Sequence, residues 1–185
     1  FAKGVMVHPN EGIRATVIGA GEYTLQASGS TSYISTPDVL PVRGIQVAHA
    51  SITKEQSPEE IDAALKDSLS KYDLDRLNED VALALNIAGQ PDYPYIQRVA
   101  RCIASISRLQ GDGAKPLFLM LDVDVAKSLG SILHEEMELD RSVIAIDGIQ
   151  VGDLDYVDIG MPLGVTDVIP VTVKSLIFST RSKSG

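Results

Sequence analysis

Two stretches constrain this chain more than any others: Val81-Ala82-Leu83-Ala84-Leu85-Asn86-Ile87 and Leu117-Phe118-Leu119-Met120-Leu121. A strand with one wet face alternates apolar and polar residues, whereas runs this continuously apolar predict strands covered on both faces. Parallel neighbours of that kind need a crossover, usually a helix. The intervening residues supply one, because after Gly89 and Pro91 the positions Ile96, Val99, Ala100, Ile103 and Ile106 recur at helical spacing. The same alternation continues on either side. Upstream, Ser57-Pro58-Glu59-Glu60 opens a helix: Ser57 can cap, Pro58 is tolerated at the first helical position, and Glu60 closes a capping box. Ile61, Ala64, Leu65, Leu69 and Tyr72 then share a face. Downstream, Val125, Leu129, Ile132, Leu133 and Met137 stripe a third helix.

Before the first helix, residues 13–18, 23–28 and 42–48 read as strands, separated by turns that contain Gly19, Gly21, Gly29, Ser30, Pro37 and Pro41. They predict an antiparallel start, and two further β-rich runs, 143–146 and 168–178, close the chain. A length of 185 residues with 44% hydrophobic content suits one compact unit, expected over 1–178, with 179–185 as an unstructured tail. The net charge of −9, with no basic cluster, argues against nucleic acid or an anionic membrane as principal partner. No apolar run approaches the roughly 20 residues that cross a bilayer, which predicts a soluble protein. The single cysteine, Cys102, lies among apolar residues and reads as a buried structural thiol in a reducing cytoplasm. The chain starts at Phe1 with no targeting pattern, which reads as a fragment of a longer protein.

A Gly-Ala-Gly turn, Gly19-Ala20-Gly21, falls between the first two predicted strands. Such a turn either presents backbone N–H groups to a phosphate or is an ordinary hairpin. Strand, strand, strand, helix, strand, helix, strand, helix is also the element order of the ribonuclease H-like fold, a mixed sheet with helices on both faces. With the turn so placed, the chain resembles the second lobe of the actin-like ATPase superfamily. That family holds phosphates on a hairpin, typically Asp-x-Gly-Gly-Gly-Thr, matched here by Gly19, Ala20 and Gly21. It places a Gly-Gly pair against the adenosine after the fourth strand, with a proline starting the next helix. Ala88-Gly89-Gln90, followed by Pro94, has that spacing.

Narrower wording resembles the C-terminal part of the ethanolamine utilization protein EutA family. It lies in Glu11-Gly12-Ile13-Arg14-Ala15-Thr16-Val17-Ile18-Gly19-Ala20-Gly21, in Ser28-Gly29-Ser30-Thr31, in 116–122 and in Asp155-Tyr156-Val157-Asp158-Ile159-Gly160. The resemblance implies a reactivating chaperone for ethanolamine ammonia-lyase. With ATP and Mg²⁺ shared with an N-terminal lobe, it would release damaged cobalamin from that enzyme. It also implies a cytoplasmic protein associated with a bacterial microcompartment, possible assembly as a homo-oligomer, and Gly19, Ala20, Gly21, Glu22, Ala88, Gly89 and Gln90 as nucleotide-binding residues.

Departures from the family pattern keep two alternatives open: a small-molecule kinase lobe, and an interaction domain that has lost the nucleotide. Val17 replaces the hairpin aspartate that organises Mg²⁺, and an aliphatic side chain offers no oxygen to a hard cation. Glu22 replaces the threonine after the glycines, either as a metal-bridged carboxylate or as a solvated turn residue. Half a cleft is expected to bind nucleotide weakly and to catalyse poorly.

Among the other polar residues, Asp124 reads as the cap of the helix beginning at Val125, and Asp122 marks a polar site at a strand end. Ser28-Gly29-Ser30-Thr31 reads as a turn. His8, His49 and His134 have no metal-ligand spacing, so no metal site of the chain's own is expected. Arg98 and Arg101 read as solvated, with contact of one of them to a nucleotide as the alternative. Glu135, Glu136, Glu138 and Asp140 read as a solvated helix end or a docking surface.

Overall fold

In the computed structural model, residues 14–16, 21–29, 31–71, 81–108, 115–164 and 168–176 are described. Among the described residues nine strands form one mixed sheet: β1 (Arg14–Thr16), β2 (Gly21–Ala27), β3 (Tyr33–Ile34), β4 (Val42–Thr53), β5 (Val81–Ala88), β6 (Leu117–Leu121), β7 (Val143–Asp147), β8 (Tyr156–Ile159) and β9 (Pro170–Leu176). Three α-helices, α1 (Pro58–Ser70), α2 (Tyr93–Arg108) and α3 (Ala126–Ser131), connect β4 to β5, β5 to β6 and β6 to β7. These four strands are parallel neighbours in that order. The continuously apolar runs are thus the central parallel strands, as their composition predicts.

The strand order is β1-β2-β9-β8-β4-β5-β6-β7-β3. It corrects the expected antiparallel start. β1 and β2 do pair antiparallel, but the third predicted strand, β4, lies between β8 and β5. Two strands from the C-terminal part of the chain separate it from β2.

The helices lie on one face, not two. Side chains of α1, α2 and α3 share one cluster with Ala48, Ala50, Ile52, Leu83, Leu85, Leu119 and Ala145. The connection rules account for this: crossovers between parallel strands are right-handed almost without exception, and the order β4-β5-β6-β7 never reverses, so successive helices stay on the same side. Covering both faces would need a switch in direction, which this order lacks.

The opposite face is covered by the sheet itself. Ile45, Val47, Ala82, Ala84, Phe118, Met120, Ile144 and Ile146 pack with Val157, Ile159, Val171 and Val173 of β8 and β9 in a second cluster. In a flat sheet β2 and β7 would be six strand spacings, about 29 Å, apart. Instead the Gln26 amide donates to the Gln150 carbonyl at 2.7 Å, and Gly29 N–H donates to the Asp147 carbonyl at 3.0 Å. The sheet therefore curls around its second core. Residues beyond β2 complete the curl by crossing to the far edge, where β3 pairs antiparallel with β7.

Local chemistry sets the helix ends. Ser57 Oγ accepts from Glu60 N–H at 3.2 Å while Glu60 Oε2 accepts from Ser57 N–H at 2.8 Å, the reciprocal box expected at the start of α1. The stripe after β6 does not form one regular helix: α3 passes into a π turn over Ile132–Glu136, where Met137 N–H reaches the Ile132 carbonyl. Tyr72 and the residues beyond 176 lie outside the described residues.

Candidate functional site

Ligands of open α/β sheets gather beyond the carboxyl ends of the parallel strands. Those of β4, β5, β6 and β7 are Thr53, Ala88, Leu121 and Asp147. Ala88 and Gly89 fall there, both exposed, with Gln90 in the following loop. Gly89 has φ +88°, a conformation that side chains rarely adopt, so glycine is needed for the turn itself. The turn is braced from both sides. Lys54 and Asp92 form an ion pair at 2.6 Å across it, and Asp92 Oδ1 accepts from Tyr95 N–H, capping α2. The Lys54 hydrogen bond, reinforced by Tyr95 N–H, holds the Asp92 carboxyl below the usual carboxylate range. Tyr95 is buried beneath the turn and donates to the Ile52 and Ala88 carbonyls.

Gly19 and Ala20 lie outside the described residues, as does Val17. Gly21 and Glu22 are not turn residues: they begin β2, paired with Leu176 and Ser175 of β9. Glu22 is half-buried on a strand, which corrects the expectation of a solvated turn glutamate. In the sheet order, Gly21 and Ala88 are separated by β9, β8 and β4. The two expected halves of the nucleotide site are not strand neighbours.

Asp124 does not cap α3. The cap position is Val125, with no side-chain hydrogen bond, and the Asp124 carboxylate instead accepts from Thr31 Oγ1. That hydrogen bond holds Asp124 below its ordinary range. Thr31 Oγ1 also lies 2.8 Å from Asp147 Oδ2, and Ser32 Oγ lies 3.3 Å from Oδ1. Asp147 is 2% exposed, so these hydroxyls satisfy a carboxyl that water does not reach. Of the expected Ser28-Gly29-Ser30-Thr31 turn, Ser30 lies outside the described residues, while Ser28, Gly29 and Thr31 act as a fastening, with Ser28 Oγ accepting from Ile169 N–H at 2.9 Å.

Asp122 does stand at a polar strand end, where Oδ1 accepts from Ile87 N–H at 3.0 Å. With His49, Asn86, Met120, Ile149 and Gln150 it lines a cleft of about 210 Å³ on the curled face. Composition alone did not single out His49 or Asn86 as site residues. The signal was present, since Asn86 is the one polar residue in the run 81–87.

The remaining candidates have partners within the protein. Arg98 donates to the Lys54 carbonyl and stacks over the Tyr95 ring at 5.4 Å, while Arg101 donates to Gln97 at 2.8 Å. His134 is exposed yet hydrogen-bonded to Tyr33 Oη at 2.9 Å. Glu135 and Glu136 accept from Tyr33 and Tyr93, so the acidic run is partly engaged. Cys102 is buried, and burial pushes its thiol pKa up. Among the described residues no group of three or more His, Cys, Asp or Glu side chains is placed to hold a metal. No helix among them is long and apolar enough to cross a membrane.

Comparison with known proteins assigns the chain. The family model of the ethanolamine utilisation protein EutA matches residues 1–179. The chain belongs to the EutA family. It is 34% identical over 171 residues to the ethanolamine ammonia-lyase reactivase EutA of Salmonella typhimurium, and equally to that of Escherichia coli. Each match covers 92% of this chain and 35% of the relative, so the chain spans about a third of their length. No solved structure matches.

Proposed function

We propose that this chain forms the C-terminal, actin-like lobe of an ethanolamine ammonia-lyase reactivase, holding one side of an ATP and Mg²⁺ site completed by an N-terminal lobe. The observation that carries the reading is the 34% identity across 92% of the chain to two reactivases. The described part of the site fits in one respect: the exposed Gly89 turn, with no Cβ and a braced backbone, lets a flat adenosine approach the main chain. It fits only conditionally in another. The Glu22 carboxylate repels polyphosphate unless a divalent ion lies between them, and Val17 offers that ion no oxygen.

In this reading Ala88, Gly89 and Gln90 take the adenosine, while Gly21 and Glu22, with Gly19 and Ala20, approach the phosphates. Bound ATP would supply the differential affinity that biases two arrangements of the lobes, and the lyase would be engaged by one arrangement more tightly than by the other. The cobalamin belongs to the lyase. A second reading, an interaction lobe without nucleotide, draws support from the same Glu22 and Val17.

Calorimetric titration of the full-length protein with ATP and Mg²⁺, followed by assay of cobalamin-inactivated lyase, separates the two. Heat, thermal stabilisation and recovered lyase activity are expected. Recovered activity without nucleotide binding would establish the interaction lobe instead.

A further inference from the structure

The cleft on the curled face has a composition that the nucleotide reading does not use. His49 stands two residues past Val47 on β4, and Asn86 two residues past Ala84 on β5. Asp122 stands two residues past Met120, the partner of Ala84 on β6. Asn86 and Asp122 therefore sit side by side, about 4.8 Å apart across the ladder. On this face the apolar second core gives way past Val47, Ala84 and Met120 to a polar row of Asn86 and Asp122, with His49 one step back, in register with Ala84.

That row has spare bonding capacity. Among the described residues the His49 imidazole and the Asn86 amide make no hydrogen bond or ion pair with the protein. Asp122 commits one oxygen to Ile87 N–H and keeps the other. The wall opposite is held in place, since Gln26 both donates to the Gln150 carbonyl and accepts from its N–H at 2.8 Å.

The charge of the lining selects the ligand. It contains a carboxylate and neither lysine nor arginine, so a phosphate or carboxylate would meet an unopposed negative group. A bare metal ion is a poor match, because one carboxylate on a floor of Ala84, Met120 and Ile149 supplies few oxygens to a hard cation. A small organic cation satisfies all of it. Its ammonium pairs with Asp122, its methylenes rest on the apolar floor, and a hydroxyl meets Asn86 and His49, each of which can donate and accept.

The geometry points to this cleft as a binding site for a small primary ammonium that carries a hydroxyl. The inference stands apart from the nucleotide reading, and its test contains no nucleotide. The full chain, labelled with ¹⁵N, is titrated separately with ethanolamine, ethylammonium and ethylene glycol while amide shifts are followed. Ethanolamine is expected to move the amides of Ile87, Asp122 and Gln150 with millimolar affinity. Ethylammonium should bind more weakly, and ethylene glycol about tenfold or more so, since it lacks the charge.

The variant Asp122→Asn retains an oxygen for Ile87 N–H while deleting the charge, so it is expected to fold and to lose ethanolamine binding by about tenfold or more. Asn86→Ala should weaken ethanolamine without changing ethylammonium, because only the hydroxyl contact is lost. Equal binding of ethylene glycol and ethanolamine would overturn the proposal, as would unchanged binding by Asp122→Asn. Shifts confined to residues outside the cleft, or no shift at all, would overturn it equally.

Discussion

At Gly29 and Gly89 the same amino acid is required for different reasons. A Cβ on Gly29 would lie 2.5 Å from Asp147 Oδ2, and that carboxyl is buried and tied to Thr31 and Ser32. It cannot swing aside without leaving a polar group unsatisfied. Gly29→Ala is therefore expected to cost about 2 kcal/mol or more in chemical denaturation. At Gly89 space is ordinary, with the nearest atom, Lys54 Cβ, at 3.6 Å, and only φ +88° opposes a side chain. Gly89→Ala should cost only about 1 kcal/mol. If the adenosine reading holds, it should also weaken ATP binding by the full-length protein in calorimetry, out of proportion to that loss.

At the scale of the element, stability depends on ends and edges. The capping box of α1 was legible as Ser57-Pro58-Glu59-Glu60, because a cap uses neighbours in sequence. Ser57→Ala should cost about 1 kcal/mol, read from the shift in denaturation midpoint. β8, an interior strand between β9 and β4, was less legible. β8 alternates partly buried and buried residues, and Asp155 and Asp158 dilute its apolar signal, so it does not read as a strand.

Asp158 nonetheless ties β8 to both of its neighbours, β4 and β9. It pairs with Lys174 at 2.6 Å and accepts from Gly44 N–H at 2.7 Å, with a quarter of its side chain exposed. Burial pushes its pKa up, but the hydrogen bonds from Lys174 and Gly44 outweigh that and hold it below the usual range. A carboxyl depressed in the folded state adds stability above its unfolded pKa of about 3.9, and that stability is lost as pH falls through the folded value. Asp158→Asn should therefore lower stability at neutral pH by about 1 kcal/mol and flatten its decline below about pH 4. Equal acid slopes for both proteins would refute this role.

For the whole molecule, the decisive feature is the curl that gives the sheet two cores. If β9 seals the second core, alternate residues along it differ sharply. Val171→Ala, in the core, should cost about 2 kcal/mol. Thr172→Ala, one residue on and facing outward, should stay within about 0.5 kcal/mol. Matching losses at the two positions, measured by urea denaturation, would mean that the curl does not bury this strand as described. The cleft exists only because of this curl, since a flat sheet would leave Gln150 far from the residues of β2 that hold it.

The sequence by itself determined α1, α2, the parallel strands and the family, because hydrophobic period, caps and family wording are properties of neighbouring residues. The tertiary structure alone decided that β8 and β9 stand between β2 and β4, that all three helices share a face, and that Asp124 serves Thr31 instead of a helix end. The first and last of these turn on contacts between residues about 90 or more apart, and the strand order is one choice among several edges that offer the same backbone hydrogen bonds. What selects among them is which arrangement buries the second apolar face, and no local pattern in the chain encodes that.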